Sequence, residues 1–397
     1  MRISTSGFHR AALEALNSRQ ADLAKTQGQI ASGNRVNSAA DDPSAAVHIL
    51  QLQRALAESE QFGRNAGTAT NRLSLEEQSL GDATSILQRV RDLTVQANSA
   101  GLSDSDRVAI AVEVDQQFNA LTQLANQRDA AGEYLYAGTK TLTQPFSTSN
   151  GTVAYAGDTK VRAVQISPTQ TIAEGHSGSE VFMNIREGNG TFTATPSALN
   201  AGSGAIQRAA VTNAAAWTPG TYTISFTSAT QYQVLDSASN PVTSGTFASG
   251  DTVSFNGAQI TIDGAPAAGD TFTVAPATSE DVFATVNDLR NTLRLGSTTS
   301  ASKAQLTTRL GATLTQLDNA LGHMGDLRSE VGARLNSIDA TEANREDAKV
   351  ALQSTLSDFK DLDYAEAITR LTLQQTGLQA AQASYARLAQ LSLFDYL

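Results

Sequence analysis

Apolar positions near the start of the chain fall on an alternating three-four spacing: Leu13, Leu16, Leu23 and Ile30, with Gln20 and Gln27 in the intervening places. That spacing predicts a helix with one narrow stripe. A second run, Leu73, Leu80, Leu87, Val90 and Ala97, predicts another helix, and Ala111, Val114, Phe118, Leu121 and Ala125 predict a third. In the break "SAGLSDSD" between them, Ser103 or Asp104 can cap the third helix. Near the other end, Tyr364, Leu371, Leu378 and Tyr385 recur every seven residues, with Ile368 and Leu388 beside them. Stripes this narrow leave two readings open. They are either the core of an ordinary helical bundle, or seams through which both chain ends pair with each other and with neighbouring subunits.

Between residues 141 and 284 the pattern changes. Alternating or β-branched runs such as "GTVAYAGD", "VRAVQIS", "VFMNIR", "TYTISFTS", "QYQVLD" and "TVSFNGAQITID" predict strands. The dipeptides Asn150-Gly151, Asn189-Gly190, Asn256-Gly257 and Asp263-Gly264 suit tight hairpin turns. Of eight prolines, all but Pro43 lie from Pro145 to Pro276, which leaves both flanks free to form long helices. Charged residues number 14 of 144 in this middle part and 53 of 253 in the flanks, a shift that marks domain limits. The expected fold is α+β: a long helical coiled coil or bundle formed by both chain ends, with an inserted all-β, hairpin-rich central domain. The expected segments are 1–140, 141–284 and 285–397.

The balance of 28 basic and 39 acidic residues gives a net charge of −11 and no footprint for nucleic acid or an anionic membrane. Arginine dominates the cations, with 22 Arg to 6 Lys, a weak pointer to packed interfaces. There is no cysteine, hence no disulfide, thiolate metal site or cysteine nucleophile. No run approaches the roughly 18 apolar residues of a membrane span. The opening "MRISTSGFHRAALEAL" lacks the h-region of a secretory signal, so export is expected without a cleaved signal peptide.

Candidate chemistry is sparse. His9, His48, His176 and His323 fall in no zinc-like spacing, and there is neither a phosphate-binding loop nor a nucleophile elbow. No catalytic, metal or cofactor-binding residue is expected, and the chain is read as no enzyme. The polar cluster that remains is "QIASGNRVNSAADDP", residues 29–43. Gly33 fits the left-handed position that ends a helix. Pro43 suits a first helical residue with Asp42 as its N-cap, which leaves Arg35 and Asp41 free to pair with each other or with another subunit. A structural joint formed by Ser32, Gly33, Asn34, Arg35, Asn37, Asp41, Asp42 and Pro43 explains the cluster, because no third partner for catalysis is in view.

This stretch closely resembles the N-terminal signature of the flagellin-like axial proteins, a coiled helix followed by a Ser-Gly-x-Arg-x-Asn-x-Ala-x-Asp-Asp loop. "MRIST" and the ending "LQQTGLQAAQASYARLAQLSLFDYL" place the resemblance with the hook-associated, hook-filament junction branch of that family rather than with flagellin itself. The matches cover most of 1–140 and 285–397, and "EYLYAGTKTLTQPF" and "GDTFTVAP" add likeness at the entry to and exit from the middle. The resemblance implies an extracellular structural subunit of the bacterial flagellum. It implies export by the flagellar type III apparatus with an export chaperone, and self-assembly in the axial ring between a hook-associated protein of FlgK type and flagellin. By the same analogy Leu16, Leu23, Ile30, Leu371, Leu378 and Tyr385 belong to the innermost helical layer, and the loop to the joint between layers. Two rivals stand beside it: a filament subunit of flagellin type, and a secreted carbohydrate-binding or hydrolytic protein. The second would use Trp217 in "AAAWTPGTY" as a binding platform, against the packing role of a buried or loop-anchoring tryptophan.

Overall fold

A computed structural model describes residues 5–99, 101–149 and 151–394, and their side chains other than those at 5, 6, 8 and 388–394. Three helices open the chain: α1 (Thr5–Ser32), α2 (Pro43–Ala97) and α3 (Asp104–Ala125). Fourteen strands follow between Phe146 and Glu280, and three helices close it: α4 (Val282–Leu293), α5 (Ser300–Lys360) and α6 (Tyr364–Phe394). The fold class is therefore α+β, with helical ends and a β-rich centre. Contacts divide the chain into two units, 1–64 with 340–397 and 65–339, so α2 and α5 each contribute to both.

In the unit 65–339 the α2 stripe Leu73, Leu80, Leu87, Val90 and Ala97 is buried to 1% exposure or less. It packs in one core with Ala111, Val114, Phe118, Leu121 and Ala125 of α3, and with Leu310, Leu317, Met324, Val331 and Ile338 of α5. Full burial of a leucine side chain is worth about 1.5–3 kcal/mol, so repeated layers of this kind hold the long helices together. Ser103 begins α3 as a capping box: its side chain accepts the Asp106 N–H, and the Asp106 carboxylate accepts the Ser103 N–H.

Two small hairpins lie against this helical core, β1–β2 (Phe146–Ser149, Thr152–Tyr155) and β3–β4 (Ala163–Ser167, Gln170–Ala173). "VFMNIR" departs from the expected strand. Ser179–Met183 forms a π-helical turn, and only β5 (Ile185–Arg186) is extended. The reason is packing: Val181 and Phe182 are adjacent and both fully buried, which a strand with one solvated face cannot arrange. Phe182 lies 5.1 Å from Tyr136, 5.5 Å from Phe146 and 5.6 Å from Phe283 between ring centroids.

The remaining strands are β6 (Phe192–Pro196), β7 (Ala205–Val211), β8 (Tyr222–Ser228), β9 (Gln231–Leu235), β10 (Pro241–Thr246), β11 (Thr252–Phe255), β12 (Ala258–Asp263), β13 (Thr271–Pro276) and β14 (Ser279–Glu280). They build a five-stranded sheet, β10-β9-β8-β13-β6, and a three-stranded sheet, β11-β12-β7, while β14 pairs with β5. Alternate residues of β8 and β12 point into a second core that includes Tyr222, Ile224, Phe226, Ile260, Ile262 and Phe272. Asn256-Gly257 closes the β11–β12 hairpin with both residues at positive φ, 43° and 75°. Asn189-Gly190 and Asp263-Gly264 instead turn the chain between strands that do not pair with each other. Asn150 lies outside the described residues. Trp217 is half-buried, 5.0 Å from Phe192 and 5.7 Å from Tyr222, a loop-anchoring role rather than an open platform.

Candidate assembly joint

In the unit formed by 1–64 and 340–397, two helix breaks lie side by side. The first, between α1 and α2, is the polar cluster of residues 32–43. Its Gly33 takes φ +72°, and the Gly33 N–H closes the last turn of α1 on Gln29 O at 2.9 Å. The second break, between α5 and α6, carries Asp363, whose Oδ1 accepts the N–H groups of Ala365 at 2.9 Å and Glu366 at 3.1 Å. Main-chain bonds staple the two together: Arg35 N–H to Lys360 O at 2.7 Å, and Leu362 N–H to Gly33 O at 3.0 Å. The Arg35 guanidinium adds a bond to Phe359 O at 2.8 Å, and the Gln29 amide donates to Arg35 O at 2.5 Å.

The two aspartates divide their work. Asp42 Oδ1 accepts the Ala45 N–H at 2.9 Å and its carbonyl the Ala46 N–H at 2.9 Å, the geometry of an N-cap with Pro43 as first helical residue. Asp41 faces the other way. Its carboxylate meets Lys25 Nζ at 3.1 Å and accepts the Ser38 and Asn37 N–H groups at 2.8 and 3.1 Å. The Lys25 bond first, then the Ser38 and Asn37 donors, hold its pKa down at about 2. Of the two pairings open to Arg35 and Asp41, the one with each other is not formed within the chain. Arg35 approaches Asp42 instead, at 3.5 Å, because the three donors on Asp41 turn its carboxylate towards α1. Ser32 Oγ donates to Asn37 Oδ1 at 2.7 Å and accepts the Asn34 N–H at 3.2 Å, so all eight polar and turn residues of the loop stand in one cluster.

The helices leaving this joint, α1 and α6, pack on each other. Leu16, Leu23 and Ile30 of α1 and Leu371, Leu378 and Tyr385 of α6 are half-buried, while Leu13 and Ile368 are 46% and 54% exposed. The Leu388 side chain lies outside the described residues. No described apolar residue of α1 is buried, and in α6 only Ala367 is. Close approach of the pair is marked by Gly377, where a Cβ would stand 2.8 Å from an Arg19 guanidinium nitrogen, and by His9 and Tyr385, edge to face at 5.9 Å.

Two polar features outside the joint were not legible as sites. A cleft of about 610 Å³ between β6, β7, α4 and α5 is lined by Glu187, Glu280, Asp288, Arg208 and Arg309. Burial, then the charges of Glu187 and Asp288, raise Glu280 to about 7, yet the two arginines nearly balance the three acids and no nucleophile stands beside a base. The other is His176, buried between Glu76 of α2 and Glu330 of α5. Its partners are 100 and more residues distant in the chain, which no local motif reveals. Among the described residues no group of three His, Asp or Glu side chains is placed to hold a metal ion, and no helix is long and apolar enough to cross a membrane.

Comparison with known proteins agrees with this geometry. Residues 3–141 match the bacterial flagellin N-terminal helical region, 314–397 the bacterial flagellin C-terminal helical region, and 195–276 the D2-like domain of flagellar hook-associated protein 1. The crystal structure of Xanthomonas campestris FlgL is 36% identical, with a TM-score of 0.74, over 77% of this chain and 99% of that one. The chain belongs to the FlgL, or flagellar hook-associated protein 3, family. The flagellar junction protein FlgL from Legionella pneumophila is 32% identical, with a TM-score of 0.72, over 79% of this chain and all of that one. Hook-associated protein 3 of Escherichia coli K12 is 26% identical over the whole of this chain and 99% of its own length. As a FlgL-family member the chain is a structural component of the flagellum at the hook-filament junction, not an enzyme. The loop 32–43 lies inside the region of the FlgL-family chain that matches the flagellin N-terminal helical region.

Proposed function

We propose that this chain assembles as a ring in the flagellar axis through α1 and α6, with residues 1–140 and 285–397 as axial segments and 141–284 projecting from them. The observation that carries this reading is the α1–α6 pair itself: it leaves Leu13, Leu16, Leu23, Ile30, Ile368, Leu371, Leu378 and Tyr385 only partly covered. Apolar area removed from water is worth about 25 cal/mol per Å², so covering these seams by neighbouring copies would drive association. The residues 32–43 act as the joint that sets the direction in which α1 and α6 leave α2 and α5. A FlgK-type hook-associated protein on one side and flagellin on the other are the axial neighbours. The chain reaches the cell exterior through the flagellar export apparatus with an export chaperone.

A deletion strain tests the reading. Hooks without filaments, flagellin shed into the medium, and rescue by the intact chain but not by Leu378→Asp are the expected results. Normal filaments in the deletion strain, or full rescue by Leu378→Asp, would overturn it.

A further inference from the structure

Residues 174–178 form a continuous buried strap that contains Glu174, His176 and Ser177 rather than apolar side chains. The strap joins the β3–β4 hairpin to the π-helical turn and its Phe182 anchor. From α2, Glu76 Oε1 accepts both the His176 backbone N–H at 3.0 Å and the ring Nδ1 at 2.9 Å. From α5, Glu330 Oε2 stands 3.4 Å from the ring Nε2, and Arg334 donates to Gly175 O at 3.0 Å. The side chains of His176 and Glu76 are each 1% exposed. Gly175 permits the approach, because a Cβ there would lie 3.1 Å from Glu76 Oε2.

The ring makes its hydrogen bond through Nδ1 to Glu76, which a neutral imidazole can also do. Nε2, by contrast, has no hydrogen-bond partner among the described residues and faces Glu330 Oε2 across 3.4 Å: with a proton it is attracted to that carboxylate, and as a bare lone pair it is repelled. The other charges around it are already engaged. Arg72 of α2 pairs with Asp129 and Glu133, Arg162 pairs with Glu133 and Glu174, and Arg334 pairs with Glu330. Lys160 lines the small recess beside the ring, and Glu180 follows on the strap's own segment. When protonated, His176 is the cation that faces both Glu76 and Glu330.

We propose that His176 is a pH latch: protonated, its ring ties the strap to Glu330 of α5 as well as to Glu76 of α2, and on losing the Nε2 proton it keeps the Glu76 bond, turns a bare nitrogen on Glu330, and loosens the β3–β4 hairpin and π-helical turn against α5. Burial disfavours the charged ring, but the Glu76 hydrogen bond and charge outweigh burial and push the pKa up from 6.5. Burial also works against the Glu330 charge, but Arg334 and His176 hold that carboxyl below its ordinary 4.5. A raised histidine pKa contributes stability that is full below about 6.5 and is lost as pH rises through the folded value. The latch is therefore closed below about 6.5 and opens as pH rises through the raised folded value.

The full-length chain, labelled at histidine Cε1, is titrated by NMR from mildly acidic to alkaline pH, with amide exchange of 172–183 followed in parallel and corrected for intrinsic rates. We expect His176 to titrate above 6.5 and protection of the strap to fall roughly tenfold for each unit by which the pKa is raised. In His176→Gln the protection should be independent of pH over that range. Glu330→Gln alters a half-exposed partner and keeps the fold, and it should move the His176 titration down. Titration at or below 6.5, strap exchange without pH dependence, or the same dependence in His176→Gln overturns the latch. If His176→Gln does not fold, an unmoved His176 titration in Glu330→Gln overturns it alone.

Discussion

Seven-residue stripes run through both units and meet different ends. In the unit 65–339, Leu73, Leu80 and Leu87 of α2 and Leu310 and Leu317 of α5 have no exposed surface. In the other unit, Leu371, Leu378 and Tyr385 of α6 keep the same spacing and remain half-exposed, and α1 buries Thr26 and Gln29 but no described apolar side chain. Periodicity thus specifies a helix and its face, while the partner that covers the face is a separate matter. One set of stripes is satisfied within the chain; the other keeps apolar surface that the proposed assembly would cover.

The comparison breaks most readily at Leu378. Leu378→Asp should abolish incorporation into flagella while shifting monomer unfolding by about 1 kcal/mol or less, since a carboxylate there is only partly covered in the monomer and fully desolvated when the seam is covered. Secretion, filament formation and Trp217 near-UV signal, measured together, check it. Restored filaments would merge the two kinds of stripe into one. At Leu80, by contrast, truncation to alanine should cost about 2–5 kcal/mol in the monomer, read by denaturant unfolding, because that site has no exposed surface and leaves a cavity. A third measurement sharpens the contrast without mutation. Amide exchange in the dilute monomer should be fast along α1 before Ile30 and along α6 after Leu371, and slow from Leu73 to Leu93; equal protection would remove the distinction.

Within the joint, Asp42→Ala should cost about 0.5–2 kcal/mol through loss of the Ala45 N–H bond, visible as faster exchange at the start of α2. The smallest effect belongs to Asp41. A depressed carboxyl pKa contributes stability that is present above its ordinary value of 3.8 and is lost as pH falls through about 2. Joint exchange in the parent chain should therefore quicken across that acid window, and in Asp41→Asn it should not change there.

Much of this was legible in residues taken singly or at helical spacing. Gly33, Asp42 and Pro43 declare a helix end and a helix start because each has a local backbone requirement. The β-rich centre declares itself through proline and low charge. What stayed hidden depends on distant partners. Arg35 chooses Asp42 over Asp41 only because Lys25, Ser38 and Asn37 have taken Asp41. The π-helical turn at Ser179–Met183 hides behind a strand-like composition, and its cause is the aromatic cluster of Tyr136, Phe146 and Phe283. His176 shows no motif because α2 and α5 supply its carboxylates. The α5 stripe Leu310, Leu317, Met324, Val331 and Ile338 did carry a seven-residue signal, diluted by its mixture of side chains and by neighbouring glycines.

The main-chain staple between the two helix breaks joins Arg35 to Lys360 and Gly33 to Leu362, pairs that stand near opposite ends of the sequence. It closes everything between them into a loop whose ends are fixed by backbone atoms. The entropy of such closure rises only with the logarithm of loop length, about 0.6 kcal/mol for each doubling. The joint is therefore nearly indifferent to how much chain it encloses. A lineage could lengthen, shorten or exchange the strands between α3 and α4 and leave the helical ends, and the register between them, as they are.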